Sequence, residues 1–139
     1  VKDIPGITYV SLDELMSTCD IVSLHVPMNS GTKHMIDRGK INLMKKNAVL
    51  INTARGGVVD SEALAGALNE ERIAGACIDV FENEPPIAKN HPLLTAKNTI
   101  VTPHVAFATK EALIKRAVIV FQNIVKYLDG TPQNEVCAG

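Results

Sequence analysis

Residues 48 to 60 read Ala48-Val49-Leu50-Ile51-Asn52-Thr53-Ala54-Arg55-Gly56-Gly57-Val58-Val59-Asp60. A short apolar run of strand length, then a turn with two glycines, then an aspartate placed to cap a helix, make a strand–turn–helix succession. The same grammar recurs on both sides of it. Ile21 to Val26 (IVSLHV), Ala76 to Phe81 (ACIDVF) and Thr99 to Thr102 (TIVT) are further strand-length runs, and Ile7 to Val10 reads as the end of an earlier one. Ser11 with Glu14 forms a capping box for a helix to about Thr18, while Asp37 and Asp60 are N-caps for helices to about Lys45 and Glu71. Thr109 caps a longer helix whose Leu113, Ala117, Val120, Phe121, Ile124 and Leu128 form one stripe, ended by Gly130. Runs that are apolar on both faces and alternate with helices predict an α/β fold: βαβ units building a parallel sheet covered on each side. Right-handed crossovers then set successive strands side by side.

The 139 residues fit one domain, and 46% apolar with 21% charged residues is ordinary globular composition. That balance excludes a disordered tail, a collagen-like repeat and a coiled coil. Fourteen basic against fifteen acidic residues leave a formal charge of −1, so the sequence predicts no nucleic-acid and no anionic-membrane partner and favours small ones. Its longest wholly apolar stretches, such as Ala48 to Ile51 and Ala117 to Phe121, fall far below the roughly 18 residues of a membrane span. Cys19, Cys77 and Cys137 are odd in number and far apart, with no C-x-x-C, which speaks against a disulfide framework or zinc site and for a reducing, cytoplasmic setting. The opening Val-Lys-Asp-Ile-Pro-Gly has neither an initiator Met nor an apolar signal region, and is expected to be a cut end.

In parallel sheets the ligand site lies beyond the carboxyl ends of the strands. The residues to inspect are therefore His25-Val26-Pro27, Thr53 to Gly57, Asp79 to Pro86, and Pro103 to Ala106. Arg55 could grip a carboxylate with two parallel hydrogen bonds; the alternative is a surface arginine paired with Asp60. Gly56 and Gly57 leave room for close approach of a ligand or for a turn with positive φ. Glu84 stands before Pro85-Pro86, which stiffen its backbone; otherwise it is a solvated loop acid. His104, after Pro103, suits a general acid because its charge changes near neutral pH, and a nearby carboxylate favours the charged imidazolium. The alternative is an imidazole satisfied by backbone. His25, His34 and His91 lack short metal-ligand spacing, so no metal site is predicted.

Three segments in order, Asn52 to Asp60, Asp79 to Pro85 (DVFENEP) and Thr102 to Ala106 (TPHVA), resemble the signatures of the NAD-dependent D-isomer-specific 2-hydroxyacid dehydrogenases. The resemblance covers nearly the whole chain. It implies hydride transfer between NAD(H) and a small D-2-hydroxy or 2-keto acid, of glycerate, phosphoglycerate, hydroxypyruvate or lactate type. It implies that His104 exchanges the proton with the substrate oxygen, that Glu84 holds the other ring nitrogen, and that Arg55 binds the substrate carboxylate. By the same likeness Val26 and Pro27 line the adenosine side, and Thr32 lies near the cofactor phosphates or ribose. Thr53 and Ala54 then touch the nicotinamide ribose, and Asp79 accepts from the carboxamide.

The sequence departs from that family at one point. No two glycines are separated by a single residue, so the G-x-G-x-x-G that cradles the pyrophosphate is missing. Residues 1–139 are therefore expected to be a single partial NAD-binding domain: the latter half of a doubly wound, Rossmann-like parallel-sheet fold, without its glycine-rich first part and without the substrate domain. Such a fragment is expected to be inactive alone, to bind cofactor weakly, and to self-associate through an unpaired sheet edge and the apolar faces left uncovered by the missing strands, with a homodimer for the parent. A non-catalytic module of the same family that senses dinucleotide is the alternative function. An L-specific lactate or malate type dehydrogenase is disfavoured by the order of the Arg and His.

Overall fold

A computed structural model of the chain describes residues 4–136. In chain order they form α1 (Leu12–Thr18), β1 (Ile21–Leu24), α2 (Arg38–Leu43), β2 (Val49–Asn52), a 3-10 turn (Gly56–Val58), α3 (Ser61–Asn69), β3 (Gly75–Ile78), a second 3-10 turn (Pro92–Leu94), β4 (Thr99–Val101) and α4 (Lys110–Leu128). Two compact units contain them, residues 1–104 with the sheet and residues 105–139 with α4.

The four strands are parallel and lie in the order β1-β2-β3-β4. Every helix cap foreseen is made: Ser11 accepts from the Glu14 N–H at 3.2 Å, Asp37 from Lys40 at 2.9 Å, Asp60 from Ala63 at 2.9 Å and Thr109 from Ala112 at 3.1 Å. Each capping oxygen satisfies an N–H that the first helical turn leaves without a partner. α2 and α3 stop two residues short of the expected Lys45 and Glu71. Met44 is already extended, and Glu71 turns left-handed at φ 55°.

Val22, Leu24, Leu50, Ala76 and Ile78 turn one sheet face toward Met16, Ile41, Leu64 and Leu68 of the helices, and all are buried. Burial of each larger side chain contributes about 1.5 to 3 kcal/mol. Within residues 1–104 the helices lie on one face of the sheet, and on the other Ile21 is 64% exposed and Ile100 65%. With strands in sequence order, each right-handed crossover steps the same way, so α2, α3 and the β3–β4 connection all fall on one face. Burial alternates along β1 and β2, as in Ile21-Val22-Ser23-Leu24.

Residues 7–10 form no strand, because no described element pairs with them. The ACIDVF run ends as a strand at Ile78, yet Asp79, Val80 and Phe81 stay buried beyond it. Backbone bonds continue there from Asp79 N–H to Asn52 O at 3.0 Å and from His104 N–H to Asp79 O at 2.8 Å.

In residues 105–139, α4 runs from its Thr109 cap to Leu128 and closes at Gly130, where φ is +70° and the N–H of Thr131 returns to Lys126 O at 2.9 Å. None of its residues is buried, and Arg116 lies 5.6 Å over the Phe107 ring. Cys19 and Cys77 are free thiols; Cys137 lies outside the described residues. Among the described residues no helix is long and apolar enough to cross a membrane.

Candidate active site

The site is built from the ends of adjacent strands. At the end of β2 the buried Asn52 donates from Nδ2 to the Arg55 carbonyl and accepts at Oδ1 from the Ala54 N–H, both at 3.0 Å. This amide closes the Thr53-Ala54-Arg55 turn from within. It has no role in the sequence reading, although a polar residue ending an otherwise apolar strand was the available signal. Arg55 is extended and exposed, and its Nη1 donates to Ala54 O at 2.6 Å. The surface pairing with Asp60 is not what forms, since Asp60 caps α3.

Gly56 was read as room for a ligand or for positive φ. It serves neither. A Cβ there would stand 1.9 Å from the Phe81 carbonyl carbon and 2.3 Å from the Glu82 nitrogen, so the space belongs to the backbone of the next loop. Gly57 faces Met28, whose Cε lies 2.9 Å from where its Cβ would be. Neither glycine has positive φ. The link between the Arg55 turn and the Glu84 loop thus runs through main chain in close contact.

At the end of β3, Asp79 is buried and its Oδ1 accepts from the Thr102 hydroxyl at 2.5 Å. With its backbone bonds to Asn52 and His104, Asp79 ties three strand ends together. Two residues further on, the loop turns back on itself: the Phe81 N–H donates to Glu84 Oε2 at 3.2 Å, and Glu84 Oε1 lies 2.7 Å from His104 Nδ1. The Glu84 side chain is only 18% exposed, so it is no solvated loop acid. His104 adopts φ 55°, a left-handed conformation uncommon for a residue with a Cβ.

His25, Val26, Pro27, Thr53, Ala54 and Arg55 line one open cleft beyond β1 and β2. It gathers four of the residues expected at the cofactor, together with the arginine. Thr32 and Asp79 are not among its walls. The Thr32 hydroxyl donates to Pro27 O at 2.7 Å and accepts from the Asn29 N–H at 2.9 Å, closing the loop behind Pro27. His25 Nε2 lies 2.9 Å from the Ser23 hydroxyl. His91 Nε2 lies 2.9 Å from Glu82 Oε2. Burial pushes the Glu82 carboxyl up, but hydrogen bonds from Ser61 and His91 outweigh it and hold the group below its ordinary value of 4.5. Among the described residues no three His, Cys, Asp or Glu side chains gather as metal ligands.

The cleft lies beyond the carboxyl ends of β1 and β2, the place where parallel sheets bind nucleotides. An imidazole held on one nitrogen by a carboxylate can pass a proton from the other, and a guanidinium can orient a carboxylate. Fold and site define an α/β nucleotide-binding domain in which an imidazole and a carboxylate are held in contact beyond the strand ends.

Residues 2–106 match the family model described as "D-isomer specific 2-hydroxyacid dehydrogenase, NAD binding domain". The chain belongs to that family. It is 44% identical over 132 residues to a glyoxylate reductase of Aeropyrum pernix, covering 94% of this chain and 39% of the relative. Its backbone superposes with TM-score 0.88 on an acyclic imino acid reductase in complex with NADPH and D-Arg, at 36% identity, covering 98% of this chain and 43% of that one. For the D-lactate dehydrogenase of Aquifex aeolicus complexed with NAD and lactic acid the TM-score is 0.80 at 37% identity, covering 89% and 41%. The chain thus spans about 40% of the length of the relatives it matches.

Proposed function

We propose that the protein containing this chain is a NAD-dependent D-2-hydroxyacid dehydrogenase, and that these residues supply part of its cofactor cleft and its proton-transfer pair. The observation that carries the reading is the 2.7 Å contact of His104 Nδ1 with Glu84 Oε1, in a domain of the matching family. When bound, the nicotinamide cofactor supplies or takes up the hydride. Val26, Pro27, Thr53 and Ala54 hold it in the cleft; Thr32 acts by fixing Pro27, and Asp79 by fixing the strand ends.

With Nδ1 held by Glu84, His104 Nε2 is the nitrogen that exchanges a proton. During reduction that proton goes to the keto oxygen while the carbonyl carbon accepts the hydride; oxidation reverses both transfers. Glu84 steadies the charged imidazole, and the Phe81 N–H fixes the carboxylate that does so. Arg55 takes the substrate carboxylate in two parallel hydrogen bonds and sets the carbonyl for attack. The substrate is a small 2-keto or 2-hydroxy acid of glycerate, phosphoglycerate, hydroxypyruvate or lactate type. A cytoplasmic setting is supported by the free thiols of Cys19 and Cys77, and a homodimer by the exposed apolar side chains of the sheet and of α4.

Turnover of NADH by the full-length protein with glyoxylate, pyruvate, hydroxypyruvate and 3-phosphohydroxypyruvate tests the proposal. Reduction of at least one is expected. Cofactor binding without turnover of any would instead favour the dinucleotide-sensing module.

A further inference from the structure

The β3–β4 connection carries a second imidazole–carboxylate contact, between Glu82 and His91. The two side chains are 26% and 12% exposed, and their closest atoms are Glu82 Oε2 and His91 Nε2 at 2.9 Å. The His91 ring also meets Phe81 edge-on, with centroids 5.0 Å apart and planes at 88°. Its Nδ1 accepts from the Leu93 N–H at 3.3 Å and caps the 3-10 turn Pro92–Leu94. That bond assigns the proton of the neutral ring to Nε2, which donates to Glu82.

This junction sits beside the turn that aims Glu84. The Phe81 N–H takes Glu84 Oε2 and leaves Oε1 to His104. The same Phe81–Glu82 backbone packs into the space at Gly56. Main-chain contact thus fixes one side of the turn, and the side chains of Glu82 and His91 fix the other. An exposed ion pair alone would hold little. Here both side chains are largely covered, and His91 makes a further hydrogen bond to the Leu93 N–H and packs edge-on against Phe81, which raises the cost of moving it.

We propose that Glu82 and His91 are positioning residues for the Glu84–His104 pair: their contact holds the 81–84 turn in the geometry that presents Glu84 Oε1 to His104 Nδ1. The consequence for turnover rests on the proton-transfer role proposed for His104; the effect on Glu84 orientation does not.

Two substitutions separate the nitrogens of His91. His91→Asn keeps an acceptor near the place of Nδ1, and so the Leu93 cap, but is too short to reach Glu82. His91→Gln carries an amide N–H near the place of Nε2. In the full-length protein with isotope-labelled histidine, the His104 Nδ1–H resonance reports the Glu84 contact whether or not the enzyme turns over. Steady-state reduction of glyoxylate by NADH reports the chemistry. His91→Asn should move the His104 signal toward that of Glu84→Gln and lower kcat about tenfold with KM for NADH little changed, since small misplacements at a reacting group are costly. His91→Gln should restore the signal and bring kcat back to within about threefold. Glu82→Ala, which removes the acceptor for the His91 Nε2–H, should move the signal in the same direction, and gives the same reading if His91→Asn does not fold. An unmoved His104 signal in either folded variant overturns the proposal, as does failure of His91→Gln to rescue. Expected signal shifts in a protein that reduces no 2-keto acid would uphold the positioning role while removing the proposed function.

Discussion

Gly56 and Phe81 come so close that no side chain can stand between them: a Cβ on Gly56 would lie 1.9 Å from the Phe81 carbonyl carbon and 2.3 Å from its oxygen. Both partners are backbone, so neither can swing aside as a flexible side chain would. Gly56→Ala must therefore push the Arg55 turn and the Glu84 loop apart. A loss of about 3 kcal/mol in stability is expected, at the upper end for overpacking because main chain has to move. Chemical denaturation measures it. Gly57→Ala meets only the end of the Met28 side chain and should cost about 1 kcal/mol or less. Equal losses at the two positions would contradict this account.

His104 holds a left-handed backbone at φ 55° while its N–H donates to Asp79 O. Asn tolerates that conformation better than other residues with a Cβ. His104→Asn should thus cost no more than about 2 kcal/mol, because it keeps the backbone bond while the mostly covered Glu84 carboxylate loses its imidazole. Its activity should fall by about 10² to 10⁴-fold, the usual contribution of a positioned acid–base group. Thermal unfolding and steady-state kinetics on the same sample separate the two effects. A variant that keeps most of its turnover would remove His104 from the proton-transfer role.

Asn52 acts out of sight of solvent. Truncation to Ala leaves the Ala54 N–H and the Arg55 carbonyl without their side-chain partner in a turn that is partly open to solvent. The expected cost is about 1 to 3 kcal/mol, since water can replace part of what the amide supplied. Because the turn carries Arg55, KM for the keto acid should rise more than KM for NADH. A stability loss with both KM values unmoved would show that the turn keeps its shape without the amide.

The helix caps were legible because capping is local: Ser11, Asp37, Asp60 and Thr109 each bond an N–H three residues on. Strand order followed from chirality. Which sheet face α2 and α3 cover was not legible, because an apolar run does not say which of its faces meets a helix; that depends on the direction of successive crossovers. At the site, Glu84 and His104 were legible as strand-end residues of the right chemistry. Asn52, Glu82 and His91 were not, because what they do depends on backbone groups and on a loop whose path no local pattern specifies. Gly56 was visible as a place needing a glycine, but what fills its space is the Phe81–Glu82 backbone, remote in sequence.

Acid stability should depend on Glu82. Burial raises its carboxyl, yet the hydrogen bonds from Ser61 and His91 leave it below 4.5 in the folded protein. In the unfolded chain both bonds are lost and the group returns to about its ordinary value. A carboxyl whose folded value is depressed stabilises the fold at every pH above the unfolded value, and that contribution disappears as pH falls through the folded one. The melting temperature should therefore be flat with respect to this group above about pH 5 and decline below about pH 4. Asp20 and Glu71, lowered by hydrogen bonds and charge from Lys45 and Lys97, act in the same direction but lie in solvent. Added salt should weaken their share of the decline and leave that of the better covered Glu82 largely in place. Glu82→Gln cannot ionise, so its melting temperature should fall less steeply over the acid range than that of the parent protein. Coincident slopes in melting temperature against pH, measured by calorimetry at high salt, would show that the Glu82 junction does not couple folding to protonation.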